Sequence, residues 1–145
     1  MSAETNAAAA KRVVEEAFNQ GKVDVIDELC SSDIVTHDPA ESGDLHGTAA
    51  LKERVHRYRT AMPDLHLTFD DVFATEDRAA MRWTVRGTND GELQGMPATH
   101  RKVEITGNSI DRFDADGKIV ETWDNWDNAG FMQQLGLAPE MAQAG

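Results

Sequence analysis

The stretch that decides the fold is residues 103–126, VEITGNSIDRFDADGKIVETWDNW. Its two ends, Val103–Phe113 and Ile119–Trp126, are rich in β-branched and aromatic residues, as strands usually are. The residues between them, Asp-Ala-Asp-Gly at 114–117, are typical of a tight turn. The pattern therefore predicts a β-hairpin made of two long antiparallel strands.

Two further strands precede this hairpin, because apolar and polar residues alternate with a period of two at 65–70 and at 81–86. The first half of the chain instead has apolar residues spaced by three and four, which is typical of amphipathic helices. These helices are predicted from about Asn6 to Gln20, from about Asp24 to Cys30, and from Thr48 to just before Pro63. Three helices cannot cover both faces of such a sheet. We therefore expect an α+β fold, in which a cone-shaped, curved antiparallel sheet wraps around three N-terminal helices and leaves a hollow.

Composition and charge narrow the class of function. The chain has 145 residues and is predicted to form a single domain, 1–145, with its core at about 8–139. A net charge of −12 repels phosphate backbones and anionic membranes, so neither nucleic acid nor a membrane is expected as a partner. The single cysteine, Cys30, allows no internal disulfide and is predicted to be a core residue. Neither a signal-peptide pattern nor a membrane-spanning apolar stretch is visible, so the expected location is cytoplasmic.

Several short strings of residues occur in a fixed order along the chain. They are His37-Asp38-Pro39, Pro63-Asp64-Leu65, Arg86-Gly87-Thr88, Gly95-Met96-Pro97-Ala98-Thr99, Asp116-Gly117-Lys118-Ile119-Val120-Glu121, Trp123-Asp124 and Gln134-Leu135-Gly136. Taken together, their order and spacing resemble the SnoaL-like polyketide cyclase family, whose members are often labelled ester cyclases. The resemblance covers almost the whole chain. It implies a cone-shaped α+β barrel of the nuclear-transport-factor type, within the cystatin-like folds.

The resemblance also implies a chemistry. Polyketide members of the family close a ring of a polyketide methyl ester by an intramolecular aldol reaction, without a metal or a cofactor. Their acid/base aspartate follows the Trp of a Glu-x-Trp-Asp pattern, and here that residue is Asp124. The expected partner is a small hydrophobic, polyketide-like molecule, and no cofactor is expected. Other proteins with this fold include a limonene epoxide hydrolase and a ketosteroid isomerase. The chain departs from the family where members often carry histidine, at Thr122 and near Ser109.

Strand parity predicts which residues accompany Asp124. If Phe113 pairs with Lys118 across the turn, Ser109 lies opposite Thr122 and Gly107 lies opposite Asp124. Ser109, Thr122, Asp124 and Trp126 then share one face of the sheet, and Trp123 points to the other face. An aldol closure needs one group that removes a proton alpha to a carbonyl and one that protonates the new alkoxide. A carboxylic acid held in an apolar pocket suits both tasks.

Other candidate residues have more than one interpretation. His37 either holds the loop that follows it or contacts a ligand at the rim of the pocket. The five histidines are scattered without ligand spacing, so no metal site is expected. Asp127 is placed to cap a last short helix that ends at Gly136. Large apolar residues are predicted to belong to the core and to line the pocket as well: Phe18, Tyr58, Met62 and Trp83.

Three functions remain open at this point. The first is an acid/base enzyme that acts on a hydrophobic carbonyl compound, the second is a small-molecule binding module without turnover, and the third is a hydrolase or hydratase in which Asp124 activates water. A second buried acid or an arginine near Asp124 would favour the third, and on the neighbouring strands Arg82 is the candidate. The basic run Arg54, Arg57 and Arg59 is predicted to be a solvated helix face. The uncovered sheet face predicts a homodimer, through Trp123, Val120 or the neighbours of Trp83.

Overall fold

The computed structural model describes residues 2–137, so the last part of the predicted core, residues 138–139, lies outside the described residues. The described part folds into four α-helices, a π-helical segment and six strands. In chain order these are α1 (Ala3–Arg12), the π-helical segment (Val13–Phe18), α2 (Asp24–Leu29), β1 (Cys30–His37), β2 (Leu45–His46), α3 (Thr48–Ala61), β3 (His66–Ala74), β4 (Arg78–Thr88), β5 (Lys102–Phe113), β6 (Ile119–Trp126) and α4 (Asn128–Leu135).

The strands form one curved sheet in the order β2-β1-β6-β5-β4-β3. The predicted α+β class and the antiparallel meander from β3 to β6 are confirmed. The sheet is larger than predicted, because Cys30 begins strand β1 instead of ending a helix, and β1 runs parallel to β6. Since β2 and β3 lie at its two edges, the sheet does not close into a barrel.

The register of the β5–β6 hairpin differs from the predicted one by two residues. Phe113 pairs with Ile119, and a bulge follows, so that Ser109 lies opposite Asp124 and Gly107 lies opposite Trp126. A bulge adds a residue to one strand and changes every pairing beyond it. Because the net change is an even number, each side chain still points to the predicted face.

Two asparagines tie the N-terminal helices to the sheet. Asn6 on α1 is buried, and its amide nitrogen donates to the carbonyls of Thr75 and Glu76 at 3.0 and 2.9 Å. Asn19 follows the π-helical segment and exchanges two hydrogen bonds with the backbone of Leu67 on β3, at 3.0 and 2.7 Å. These bonds satisfy backbone groups at the edge strand and hold the helices against the concave face of the sheet.

The core fills the space between the helices and that concave face. Ile26, Ile34 and Val55 are almost completely buried there, and Cys30 is buried beside them as predicted. Burial raises the pKa of the Cys30 thiol to about 12, which makes it an inert apolar residue. Among the described residues, no helix has both the length and the apolar character that crossing a membrane requires.

Candidate active site

A cavity of about 140 Å³ lies between the helices and the concave face of the sheet. A cavity of this size, lined by aliphatic and aromatic side chains, suits a small apolar ring compound. Its walls come from every layer of the fold: Val13, Phe18, Ile26, Ile34, Leu51, Val55, Tyr58, Met62, Leu65, Leu67, Trp83, Val85, Val103, Ile105, Ile119, Trp126 and Phe131. The polar side chains of the lining are Asp38, Arg54, Ser109, Asp111, Thr122 and Asp124.

Asp124 lies on β6 at the polar end of this cavity. Ser109, directly opposite on β5, donates a hydrogen bond of 2.6 Å to Asp124 Oδ1. Arg54, on α3, donates a hydrogen bond of 2.9 Å from Nη1 to Asp124 Oδ2. Each carboxylate oxygen therefore has its own donor, and the side chain is fixed in one orientation toward the cavity.

Arg54 Nη1 also contacts a second carboxylate, Asp38, with a distance of 2.8 Å to Oδ2. The other oxygen of Asp38 accepts from Trp126 Nε1 at 3.0 Å and from the backbone of Ala40 at 2.9 Å. Arg54 is only 8% exposed, so burial lowers its pKa, but Asp124 and Asp38 raise it more and keep it above its usual value. The guanidinium is thus a permanent cation shared by the buried Asp38 and the half-buried Asp124.

A third carboxyl group, Asp111, lies on β5 two residues beyond Ser109 and lines the same cavity. Its Oδ1 accepts a hydrogen bond of 2.6 Å from Thr122 Oγ1, directly opposite on β6. Burial raises the pKa of Asp111 to about 7, and the nearby charge of Asp124 adds to this effect. The cavity therefore contains an acid that changes its charge near neutral pH.

Aromatic side chains close the rest of the site. Tyr58, Trp126 and Phe131 contact one another edge to face, with ring centroids between 5.6 and 6.4 Å apart. Trp83 packs over Gly107, where a Cβ atom would lie 2.5 Å from the indole. Glycine at 107 is therefore what allows the indole to lie against β5, from where Trp83 Nε1 donates to Ser109 Oγ at 3.0 Å.

Most of the predicted site residues meet in this cavity. Asp124, Ser109, Thr122, Trp126, Trp83, Phe18, Tyr58 and Met62 all line it. Trp123, as predicted, points to the opposite, convex face of the sheet, where it stacks on His37 with ring centroids 5.4 Å apart. Asp127 caps α4 as predicted, since its Oδ1 accepts from the backbone of Gly130 at 2.8 Å.

His37 does not line the cavity. Its ring is held on the convex face, with Nε2 at 2.7 Å from Glu121 Oε2 and Nδ1 at 2.8 Å from Asp44 Oδ1. These hydrogen bonds, first that of Glu121 and then that of Asp44, raise the pKa of His37 above its usual value. Its placement favours the structural interpretation, in which His37 ties β1 to β6 and to the loop before β2, over contact with a ligand in the cavity.

The prediction of a solvated face for the basic run on α3 was wrong. Arg54 points into the cavity, Arg57 bonds to Glu41 and Glu53, and Arg59 Nη1 donates to the carbonyl of Phe18 at 2.8 Å. The reason is the helical period: Arg54 follows Leu51 by three residues and precedes Val55, so it belongs to the buried face.

Two acids of the cavity, Asp38 and Asp111, were not identified from the sequence. For both of them, the alternation of side chains along a strand could have indicated that they point inward. Asp38 comes directly after β1, two residues beyond the inward-facing Thr36, and Asp111 follows Ser109 by two residues on β5. Arg82, the arginine considered instead, points outward, with its side chain 60% exposed and 3.9 Å from Asp70.

The arrangement suits proton transfer to and from a small apolar molecule. An ionic group, Asp124 with Arg54, and an acid that titrates near neutral pH, Asp111, face one cavity whose walls are mostly apolar. Within residues 2–137, no three or more His, Cys, Asp or Glu side chains are grouped in a way that could hold a metal ion.

Comparison with solved structures shows the same fold in other proteins. A SnoaL-like polyketide cyclase candidate from Jannaschia sp. CCS1 superposes with a TM-score of 0.84 over 94% of this chain and 95% of its own, at 18% identity. AclR from Streptomyces galilaeus, a candidate hydroxylase, is 31% identical with a TM-score of 0.81, over 95% of this chain and 100% of its own. IdmH from Streptomyces antibioticus, a candidate polyketide cyclase, is 32% identical with a TM-score of 0.76, over 90% and 98%.

Comparison with curated protein sequences gives no significant match. The sequence profile of SnoaL-like polyketide cyclases, however, matches residues 8–135, which is nearly the whole chain. This match agrees with the curved sheet and the enclosing helices. The chain therefore belongs to the SnoaL-like polyketide cyclase family.

Proposed function

We propose that the protein is an acid/base enzyme that removes and returns protons on a small hydrophobic carbonyl compound, using side chains alone. The observation that carries this proposal is the pair of hydrogen bonds at Asp124. Ser109 and Arg54 fix both carboxylate oxygens, at 2.6 and 2.9 Å, at the end of an apolar cavity. A carboxylate placed in this way is ready to abstract a proton alpha to a carbonyl.

The substrate class follows from the lining of the cavity. Its walls are aliphatic and aromatic, so a ligand gains free energy by burying apolar surface there. The charged side chains Asp38, Arg54 and Asp124 are joined by hydrogen bonds into one cluster, which selects a molecule whose oxygen function lies at that cluster. We infer that a cyclic or polyketide-like ketone is bound with its carbonyl toward Asp124, and that the enol formed there attacks a second carbonyl in a ring closure.

The test is exchange of carbon-bound protons in deuterated water. 2-Indanone, a small apolar ketone, is incubated with the protein, and loss of the alpha-proton signal is followed by proton NMR. Wild type is expected to exchange these protons faster than buffer. Asp124→Asn removes the base with little change in shape, and should slow the enzymatic exchange by about 100- to 10,000-fold.

Asp127→Asn is the matched control, because it makes the same chemical change three residues away at an exposed helix cap. Asparagine caps helices as well as aspartate does, so this variant should exchange at the wild-type rate. If wild type binds the ketone and exchanges no faster than Asp124→Asn, the protein is a binding module and the enzymatic proposal is wrong.

A second candidate function is addition of water, and the Asp38–Arg54–Asp124 arrangement favours it. A buried arginine within 2.9 Å of Asp124 and a second acid beside it are what a water-activating site needs. In this reaction Asp124 takes a proton from water, the oxygen attacks carbon, and an acid of the site protonates the leaving oxygen. Styrene oxide is a suitable probe, since the diol is separated by chromatography. Production of the diol by wild type and its loss in Asp124→Asn would select this function over enolisation.

We further propose that the protein is a homodimer that pairs through the convex face of its sheet. One row of side chains crosses this face through paired positions on five strands: Phe73, Ala80, Ile110, Trp123 and His37. Phe73 and Ile110 are 64% and 43% exposed. A second copy, related by a two-fold axis, would place this row against itself and bury it.

A further inference from the structure

Asp111 is a third carboxyl group of the cavity, to which the function proposed above gives no role. It is 7% exposed and points to the same side of β5 as Ser109. Thr122 lies directly opposite Asp111, and Asp124 is two residues farther along β6. Diagonal neighbours on one face of an antiparallel pair are about 7–8 Å apart. Asp111 and Asp124 thus line the same cavity from diagonal positions, where both can contact one small molecule.

The surroundings of Asp111 differ from those of Asp124. Thr122 donates to its Oδ1, and the hydrogen bonds of the described residues leave Oδ2 without a partner. Arg54, whose charge also acts on Asp111, is held by Asp38 and Asp124, and Asp111 forms no salt bridge within the described part of the chain. A carboxyl group buried without a cation favours its neutral form, because that form avoids the cost of an unpaired charge.

We propose that Asp111 is a second proton-transfer group of this site, a neutral carboxylic acid that protonates the carbonyl oxygen of the substrate while Asp124 removes a proton from the adjacent carbon. The inference rests on the proposed function and extends it to a pair of acids with opposite roles. A pocket of this kind selects compounds that enolise, because proton removal and proton delivery take place at atoms two bonds apart.

The step balances without any further reactant. The alpha C–H bond breaks, its proton goes to Asp124, and its electron pair forms the C=C bond of the enol. The carbonyl oxygen takes the proton of Asp111, whose carboxylate then accepts a hydrogen bond from Thr122. In the reverse direction, or after attack of the enol on a second carbonyl, Asp124 gives up the proton that it took and Asp111 recovers the proton that it gave. Neither acid is consumed.

The charges that face Asp111 agree with this role. On β6 the charge of Asp124 raises the pKa of Asp111, while on α3 the guanidinium of Arg54 lowers it, as does the hydrogen bond from Thr122. Cys30, at the start of β1, carries a neutral thiol whose pKa is raised to about 12. Burial has the largest effect, and the pKa of Asp111 stands at about 7.

A direct measurement of Asp111 needs no substrate. Carbon-13 NMR of protein labelled at the aspartate side-chain carboxyls is recorded as a function of pH, and the Asp111 resonance is assigned as the one missing in Asp111→Asn. We expect its midpoint near pH 7. Thr122→Val removes the hydrogen bond that stabilises the charged form, so the midpoint should move to higher pH. A midpoint below about pH 5 would overturn the inference and leave the proposed role of Asp124 intact.

The deuterium exchange of 2-indanone then separates the two proposals. Wild-type exchange should fall as pH rises through about 7, because Asp111 loses the proton it must deliver. Asp111→Asn keeps an acceptor for Thr122 but has no transferable proton, so exchange should drop by about 100-fold or more and lose this fall above pH 7. In Thr122→Val the fall should move to higher pH together with the carbon-13 midpoint.

Each remaining outcome has one meaning. If exchange depends on Asp124 but Asp111→Asn matches wild type in rate and pH profile, Asp111 is a structural partner of Thr122 and the inference is wrong. If wild type shows no exchange above buffer, the proposed function fails, and the inference that rests on it fails as well.

Discussion

Ser109 lies directly opposite Asp124 on neighbouring antiparallel strands, and its hydroxyl donates a hydrogen bond of 2.6 Å to Asp124 Oδ1. The same hydroxyl oxygen accepts a hydrogen bond of 3.0 Å from Trp83 Nε1. A serine hydroxyl has one proton to donate, and the indole N–H can only donate. The indole therefore sets the direction of both hydrogen bonds: Trp83 donates to Ser109, and the serine proton points to Asp124.

Ser109→Ala is expected to weaken both the fold and the site. It leaves the buried Trp83 N–H without an acceptor and removes one of the two donors of Asp124, so the free energy of unfolding should fall by about 1–3 kcal/mol. Urea denaturation followed by tryptophan fluorescence measures the change. Ser32→Ala, at an exposed serine, is the control and should stay within about 0.5 kcal/mol of wild type. Equal stability of Ser109→Ala and wild type would contradict a stabilising role for the hydrogen bonds that join Trp83, Ser109 and Asp124.

Arg54→Met should destabilise the protein strongly at neutral pH. The substitution keeps an unbranched side chain of similar reach but leaves the buried Asp38 and the half-buried Asp124 without their shared cation. Breaking a buried ion pair such as Arg54–Asp38 costs about 3–5 kcal/mol. Arg86→Met is the comparison, because Arg86 forms an exposed pair with Glu104, for which about 0–1 kcal/mol is typical.

The double variant Arg54→Met/Asp124→Asn distinguishes this cause from a simple loss of packing. If the unpaired charge of Asp124 is the main problem, adding Asp124→Asn should recover part of the stability lost in Arg54→Met. A double variant less stable than Arg54→Met alone would show that the guanidinium acts through its packing and not through its charge.

Much of the sheet was predictable because the sequence patterns that indicate strands and turns extend over only a few neighbouring residues. The two-residue period and the Asp114–Gly117 turn fixed the hairpin, and parity placed Ser109 and Asp124 on one face. The exact pairing was not predictable, since the bulge next to Phe113 leaves no mark in the alternation of residues. An even change of register preserves the faces, which is why Ser109, Thr122 and Asp124 still line the cavity.

The charged part of the site was harder to predict for a different physical reason. In the sequence, Arg54 lies 16 residues from Asp38 and 70 residues from Asp124. The hydrogen bonds that join them therefore depend on how β1, α3 and β6 pack. A charged residue usually lies at the surface, and only its neighbours Leu51 and Val55 indicate that Arg54 lies on a buried helix face. Arg54 can be buried because, in the folded state, its charge is compensated by those of Asp38 and Asp124.

The stability of the protein should depend on pH through Asp111. Its pKa is about 7 in the folded protein and near 3.8 in an unfolded chain, so the folded state binds a proton more tightly. Stability from this group is therefore fully present below about pH 4 and is lost as pH rises toward 7, with a slope of up to about 1.4 kcal/mol per pH unit. Asp111→Asn removes the titrating group and with it this slope.

The measurement is the difference in free energy of unfolding between Asp111→Asn and wild type at several pH values between 4 and 8. The free energy of unfolding of the variant should increase steadily relative to that of wild type as pH rises. This difference should level off above about pH 7. Asp116→Asn, in the exposed β5–β6 turn, serves as the control with little pH dependence of its own. A difference that is constant over this range would mean that Asp111 is charged in the folded protein throughout.

The row of side chains on the convex face is expected to form the interface of the homodimer. Ile110→Asp places a charge in the middle of the row that we propose to pair in a homodimer, between Ala80 and Trp123. Light scattering at micromolar concentration should give the mass of a dimer for wild type and of a monomer for this variant. Leu137→Asp makes the same change at an apolar residue of similar exposure away from the sheet, and should remain dimeric. Because Ile110 points away from the cavity, the monomeric variant should still exchange the protons of 2-indanone. A monomeric mass for wild type would show that the row does not form this interface, and loss of the dimer in Leu137→Asp alone would place the interface near the end of α4 instead.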